Sequence, residues 1–221
     1  MTLFRLDASI RVEGSASREI ADIVEAEYLQ EHPGATVERR HIGVDVLPSS
    51  AWGSAVGAMF VPESDRTPEQ RGAAALAAEL VDELFAADSL LFAIPLYNYG
   101  VSQHIKTYFD LVMTDPRANP AETKLLAGKP TVLVTVRGGA YGPGTPRAGW
   151  DHSTPYLRRM LIDVLGADLR VVEREFTLVG VNPALDQFTD QAAQMHREAM
   201  EVGRTAGRML ARTTLLAAAA R

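Results

Sequence analysis

The sequence lacks cysteine and has no long apolar run. Without cysteine, disulfides, thiol catalysis, iron–sulfur clusters and cysteine-ligated zinc sites are excluded. No apolar run approaches the roughly 20 residues that a membrane-spanning helix requires, so we expect no membrane association. The first residues enter a strand directly, without the layout of a signal peptide. The expected location is therefore the cytoplasm.

Basic stripes and the common catalytic motifs are missing as well. The formal net charge is −6, and no run of Lys or Arg appears, so we expect no nucleic-acid partner. The five histidines are scattered without a metal-binding spacing, so we expect no metal site. There is no G-x-S-x-G elbow, which disfavours a serine hydrolase. No catalytic side chain is predicted.

What is present is an alternation of strands and helices. With 221 residues and 47% hydrophobic content, the chain is expected to form one domain over residues 1–221. Strands are predicted at residues 2–7, 36–42, 89–95, 130–136 and 169–176, and helices at 15–30, 67–86, 102–113, 154–165 and 184–212. This alternation is typical of βαβ units and a parallel sheet with helices on both faces.

The polarity of the strands predicts their order. Residues 90–94 and 132–134 are apolar, as in central strands, whereas 37–41 and 170–175 carry the charges expected at sheet edges. Edge positions for the second and fifth strands fit the doubly wound, flavodoxin-like order 2-1-3-4-5. Ligands of such sheets bind beyond the carboxyl ends of the strands, at the switch point between strands one and three.

Two insertions are longer than ordinary loops, which in compact domains indicates function or disorder. They cover about residues 43–66 and 137–152. The first contains Trp52, Met59 and Phe60 in a Gly/Ser/Pro-rich setting, and the second contains five glycines.

Three hydroxyls mark the junction of the first strand and the first helix. Ser9, Ser15 and Ser17 lie where the unpaired N–H groups of a helix N-terminus offer an anion site. They suit the phosphate of a mononucleotide. The alternative is that Ser15 or Ser17 only caps the helix. Arg18 in the first turn opposes the helix dipole unless an anion binds nearby.

Two further loops leave the same predicted edge. Residues 94–100 combine Pro95, Tyr97, Asn98 and Tyr99, which could lie against a planar ring or simply form a turn. The adjacent glycines after the fourth strand permit close approach of backbone to a ligand, although plain turns also use them.

Together these segments resemble the FMN-dependent NADH:quinone oxidoreductases known as azoreductases, in the flavodoxin-like superfamily. The resemblance extends from the first strand to about residue 180. The segments that carry it are Ser9…Ser15-Ala16-Ser17, Pro95-Leu96-Tyr97-Asn98-Tyr99, Ile105-Lys106-Thr107-Tyr108-Phe109-Asp110, Val136-Arg137-Gly138-Gly139 and Pro155-Tyr156-Leu157-Arg158.

The resemblance implies a two-electron, ping-pong transfer of hydride from NADH or NADPH through FMN to a quinone or azo compound. It implies FMN contacts at Ser9, Ser15, Ala16, Ser17, Pro95, Leu96, Tyr97, Asn98, Tyr99, Val136, Arg137, Gly138, Gly139 and Tyr141. Three of these depart from the family pattern: Val136 replaces Ser, Tyr141 replaces His and Leu96 replaces Met. The resemblance further implies a homodimer, whose substrate walls we assign to Trp52, Met59 and Phe60; the alternative is that these residues only fill the dimer core.

Three other functions remain possible at this point. A flavodoxin-type electron carrier would bind FMN but turn over NAD(P)H negligibly. An NADPH-dependent FMN reductase would release the flavin as product. A binding protein on the same fold would hold no flavin at all.

Overall fold

The computed structural model describes residues 1–121 and 124–219, and within them five strands form one parallel sheet. The strand order is β2-β1-β3-β4-β5, and every pairing is parallel. The predicted flavodoxin-like order is thus confirmed. The strands are β1 (Thr2–Asp7), β2 (Thr36–His41), β3 (Ser89–Pro95), β4 (Pro130–Val136) and β5 (Asp168–Arg174).

The burial of each strand follows its polarity. Every residue of β3 and of β4 is buried, which fits central strands covered on both faces. Leu6 of β1 pairs with Phe92, which in turn pairs with Leu133 of β4. The charged edge strands β2 and β5 consist of exposed and half-buried residues, apart from the buried Val172.

Helices cover both faces of the sheet. They are α1 (Ala16–Glu31), α2 (Ala51–Ala58), α3 (Pro68–Ala86), α4 (Gln103–Val112), α5 (Ser153–Arg158) and α6 (Thr189–Ala219). Helices α1 and α6 contribute Ile20, Val24, Tyr28 and Leu210 to the core on one face. The core on the other face takes residues from α2, α3, α4 and α5. None of the described helices is both long and apolar enough to cross a bilayer.

Polar caps determine where several helices begin. The side chains of Ser15, Thr67 and Ser102 each accept a hydrogen bond from the first turn of α1, α3 or α4. At α3 the cap is reciprocal, because Gln70 also accepts from the Thr67 backbone N–H at 2.9 Å. The predicted helices start at these three residues, one position before the observed helices, because a cap residue is not itself helical.

Three helical segments differ from the prediction. The insertion at 43–66 contains α2, which was not predicted because its two glycines weaken the helical signal of the sequence. Ala55 and Ala58 of this helix are nevertheless buried. The predicted helix 154–165 continues after α5 as a π-helical turn, Arg159–Val164. The predicted helix 184–212 begins with a 3₁₀ segment, Pro183–Phe188, and α6 then runs on to Ala219.

The loop after β2 lies directly against the end of β1. A Cβ atom on Gly43 would be 2.2 Å from the Ser9 carbonyl oxygen and 2.6 Å from its carbon. Real Cβ atoms do not approach backbone so closely, so only glycine fits without movement of the chain. The position of Ser9 therefore depends on the absence of a side chain at residue 43.

We predict that Gly43→Ala lowers the free energy of unfolding by about 2 kcal/mol, as overpacking of a closed contact does. The control is Gly53→Ala, because Gly53 lies in α2 with no atom within 4 Å of an added Cβ. There alanine is expected to be neutral or to stabilise the helix by up to about 1 kcal/mol. Urea unfolding measures the free energy of unfolding of both variants. Equal values for Gly43→Ala and Gly53→Ala would contradict the close contact at Gly43.

Candidate functional site

A cavity of about 380 Å³ lies at the carboxyl edge of the sheet, beyond β1, β3 and β4. Three loops that are distant in sequence meet there. Thirteen residues predicted to contact a cofactor line this cavity: Ser9, Ser15, Ala16, Ser17, Pro95, Leu96, Tyr97, Asn98, Tyr99, Val136, Gly138, Gly139 and Tyr141.

The three serine hydroxyls gather at the N-terminus of α1. Ser15 caps the helix by accepting from the Arg18 N–H at 3.5 Å, and its Oγ lies 3.3 Å from the Ser17 Oγ. The Ser9 Oγ accepts from the Arg11 N–H at 3.2 Å. All three serines are buried beside the cavity. Hydroxyl donors and the positive end of a helix therefore face the same space.

Hydrogen bonds to backbone carbonyl oxygens accommodate the positive charge of Arg18 in the first turn of α1. Its guanidinium donates to the carbonyl oxygens of Val12 at 2.5 Å and Arg11 at 3.1 Å, and it also contacts the His41 ring. Burial and the neighbouring Arg18 charge lower the pKa of His41. The charge of Arg18 thus ties the serine-rich loop to the helix.

The loop after β3 contains a strained tight turn. Tyr97 and Gly100 exchange two backbone hydrogen bonds, of 3.2 and 2.9 Å, across Asn98 and Tyr99. Asn98 has φ 47° and Tyr99 has φ 69°. Asparagine tolerates this left-handed region, whereas a tyrosine there is uncommon. Such strain persists only where surrounding contacts hold it.

Two contacts hold Tyr99 in this conformation. Its carbonyl oxygen accepts from the His152 N–H at 2.9 Å, and its ring meets the Trp150 ring edge-on with centroids 5.6 Å apart. Both partners come from the glycine-rich insertion. The second and third loops of the cavity therefore support each other.

The Tyr97 hydroxyl links the turn to the serine-rich loop. It accepts from the Ile10 N–H at 3.2 Å and lies 3.4 Å from the Ser9 Oγ. A single phenol thereby connects the loops that follow β1 and β3.

The glycine loop after β4 packs against the segment that follows β5. The Leu178 N–H donates to the Gly138 carbonyl at 3.1 Å, and a Cβ on Gly138 would lie 2.6 Å from Leu178 Cδ1. Sequence reasoning missed this segment and two arginines as cavity residues. They are Arg11, Arg147, Thr177, Leu178, Asn182 and Leu185. Only the adjacency of β4 and β5 could have pointed to residues 177–185, since they carry no motif.

The structure places the Arg137 side chain outside the cavity. The buried guanidinium donates to Asp151 at 2.7 Å, Thr154 at 3.1 Å and Glu173 at 3.2 Å. Burial opposes the charged forms, yet these hydrogen bonds raise the pKa of Arg137 and lower that of Asp151. Since the Asp151 carboxylate also accepts from the first N–H groups of α5, Arg137 fastens the glycine loop to α5.

Trp52, Met59 and Phe60 do not line this cavity. Their exposed fractions are 48, 55 and 81%, and they lie on α2 and directly after it. Val44 and Val46 of the same insertion are also exposed. The insertion at 43–66 thus carries at least five exposed apolar side chains. In residues 1–121 and 124–219, no group of His, Asp and Glu side chains could hold a metal ion.

Comparison with known proteins identifies relatives over most of the chain. The family described by a flavodoxin-like fold matches residues 1–201. A Frankia alni protein named FMN-dependent NADH:quinone oxidoreductase is 40% identical over 191 residues, covering 85% of this chain and 90% of the relative. A Streptomyces coelicolor protein of the same name is 34% identical, covering 90% of this chain and 92% of the relative.

Solved structures share the fold. An azoreductase from Bacillus anthracis superposes with a TM-score of 0.76 at 22% identity, covering 95% of this chain and 99% of that chain. Azoreductase AzrA superposes with a TM-score of 0.78, also at 22% identity, covering 95% of this chain and all of that one. At this level of identity the likeness establishes the architecture alone.

Proposed function

Because the chain belongs to the flavodoxin-like-fold family that includes the FMN-dependent NADH:quinone oxidoreductases, we propose that it is an FMN-dependent NAD(P)H oxidoreductase. Its substrates are quinones and azo compounds, reduced by two electrons in a ping-pong cycle. The observation that carries this proposal is the single cavity where a hydroxyl-lined helix N-terminus, a strained aromatic turn and a glycine loop meet. Residues 1–221 form one FMN-binding domain in this proposal.

The residues around the cavity fit FMN chemically. A cavity of about 380 Å³ is in the range of small-molecule and cofactor sites. The phosphate binds at Ser9, Ser15 and Ser17, where hydroxyls and helix N–H groups donate to its oxygens. Arg11, which lines the same cavity, adds a positive charge that compensates the phosphate dianion.

The two other loops hold the flat ring of the cofactor. Leu96 and the turn at Tyr97–Asn98–Tyr99 lie along the ring, and Gly138, Gly139 and Tyr141 close around its pyrimidine side. When bound, FMN supplies the hydride chemistry, and the protein supplies binding, orientation and electrostatics. This division of labour fits a cavity whose described lining residues include no Asp, Glu, His or Lys. At this site Tyr141 offers a phenolic donor, and Val136 offers none.

The exposed apolar side chains of the insertion at 43–66 support a homodimer. Exposed apolar side chains grouped on one segment mark interaction sites, and Trp52, Met59 and Phe60 are exposed in the single chain. In the dimer we propose, they form part of the substrate walls. The use of NAD(P)H, a cytoplasmic metabolite, is consistent with a cytoplasmic location.

The alternative functions are less well supported. The curated relatives are named as oxidoreductases rather than electron carriers, and a carrier has no need of substrate walls. A binding protein without flavin is disfavoured because these relatives are named as FMN-dependent. An NADPH-dependent FMN reductase must bind FMN weakly, because it releases the flavin as product. Measuring the affinity of the protein for FMN distinguishes this function from the proposed one.

Steady-state kinetics test the proposed function. With FMN present, NADH oxidation should require benzoquinone, and double-reciprocal plots at several quinone concentrations should be parallel. Ser9→Ala should raise the FMN concentration for half-maximal turnover by about tenfold, the loss of a charge-assisted hydrogen bond. Ser64→Ala is the control, because that exposed hydroxyl bonds only Asp65 among the described residues. Negligible turnover of NADH and NADPH by FMN-loaded protein would contradict the proposal.

The substrate wall is tested by Phe60→Ala. We expect the ratio of kcat/KM for a small quinone to kcat/KM for a large quinone to differ at least threefold between the variant and the wild-type protein. The FMN content should not change, because the phenyl ring contacts substrate and not cofactor. Phe85→Ala is the matched control, since Phe85 is also largely exposed but lies at the end of α3, over Lys129. Loss of FMN with unchanged quinone preference would refute the assignment of Phe60.

A further inference from the structure

Arg147 is a cavity residue that neither the sequence motifs nor the proposed phosphate and ring contacts use. It belongs to the glycine-rich insertion and lines the cavity. Its guanidinium carbon lies 5.8 Å from the centre of the Tyr141 ring. One of its terminal nitrogens, Nη1, lies 3.2 Å from where a Cβ on Gly139 would be. The charge is therefore placed beside two of the glycine-loop residues that line the cavity, Gly139 and Tyr141.

This charge has no counter-ion on the described part of the chain. No carboxylate there lies within 4.0 Å of Arg147, whereas Arg137 is paired with Asp151 and Glu173. Glu175, which follows β5, accepts from the Tyr141 N–H at 2.9 Å and lies 3.8 Å from Arg137. The Arg147 cation is thus available to a ligand in the cavity.

The loop that carries Arg147 is braced by its own hydrogen bonds. The Thr145 hydroxyl donates to the Gly142 carbonyl at 2.8 Å, and the Ala148 N–H donates to the Thr145 carbonyl at 3.1 Å. The Trp150 N–H donates to the Arg147 carbonyl at 3.0 Å. None of these bonds uses the guanidinium, so replacing this side chain should leave the loop intact.

We propose that Arg147 holds its positive charge against the pyrimidine side of bound FMN and thereby raises the reduction potential of the cofactor. The inference rests on the proposed function, which assigns Gly139 and Tyr141 to that side. Hydride transfer from NAD(P)H brings two electrons and one proton, so the ring gains one negative charge while the nicotinamide becomes NAD(P)⁺. A nearby fixed cation stabilises the form with the additional negative charge.

A competing assignment would place the guanidinium on the phosphates of NAD(P)H. The position of the side chain favours the flavin. The Arg147 guanidinium carbon lies 5.8 Å from the centre of the Tyr141 ring, and its Nη1 is close to the Gly139 backbone; the proposed function assigns both residues to the cofactor.

The test compares Arg147→Met, Arg147→Lys and the charge-matched control Arg212→Met in FMN-loaded protein. Arg212 is exposed on α6, next to residues that line a small cleft at the amino ends of β4 and β5. The potential is measured by anaerobic reduction against a reference dye, and circular dichroism checks that each variant is folded. FMN binding by the wild-type protein is measured first by fluorescence quenching.

For Arg147→Met we expect binding of the reduced cofactor to weaken about tenfold more than binding of the oxidised cofactor. That ratio corresponds to a fall of about 30 mV for a two-electron couple. Arg147→Lys should retain most of the wild-type potential, and Arg212→Met should not change it.

A potential of Arg147→Met that is unchanged, and so equal to that of Arg212→Met, would overturn the inference. If the KM for NADH were raised in the same variant, the cation would be assigned to the nucleotide substrate. In either case the proposed function is not affected as long as the variants bind FMN and turn over NADH. Failure of the wild-type protein to bind FMN would instead contradict the proposed function itself.

Discussion

The parallel pairing of β1 with β3, and of β3 with β4, is the constraint on which the rest of the structure depends. Because these strands run in the same direction, their carboxyl ends lie at one edge. The loops that begin after Asp7, Pro95 and Val136 are therefore adjacent although about 40 to 90 residues separate them. Helix α1 begins at that edge because it follows the loop after β1. Its unpaired N–H groups therefore face the space between the loops. Buried apolar pairs such as Phe92 with Leu133 hold this register from within the core.

Each loop is then held by a different kind of contact. The serine-rich loop is positioned by the close approach of Gly43 to the Ser9 backbone and by the Arg18 guanidinium. The strained turn at Asn98 and Tyr99 is supported by Trp150 and the His152 N–H. The glycine loop is fastened by the buried Arg137 network. Contacts with the glycine-rich insertion thus offset the backbone strain at Asn98 and Tyr99.

Much of the fold could be predicted from the sequence because its signals are local. Continuous apolar runs predict central strands, and β1, β3 and β4 begin and end at the predicted residues. Caps such as Ser15 and Thr67 mark helix starts to within one residue. The short helix α2 was missed because two glycines weaken its local signal, while its burial depends on packing against the rest of the core.

The site could be predicted in part, for the same reason. The hydroxyl cluster and the aromatic turn are contiguous motifs, and the residues that form them all line the cavity. The side-chain direction of Arg137 could not be predicted, because it depends on Asp151 and Glu173, which distant segments supply. Arg147 and the segment around Leu178 enter the cavity through loop geometry alone. The roles of all these residues toward FMN remain predictions.

The most direct test of the central claim is an absorbance spectrum of the purified protein with FMN, followed by anaerobic NADH and then benzoquinone. We expect flavin bands that shift on binding, bleach with NADH and return with quinone. Such a result would show that the cavity binds the cofactor and exposes it to both a hydride donor and an acceptor. An unchanged spectrum of free FMN would contradict the assignment of the cavity. Bound flavin that neither NADH nor NADPH bleaches would contradict the oxidoreductase function.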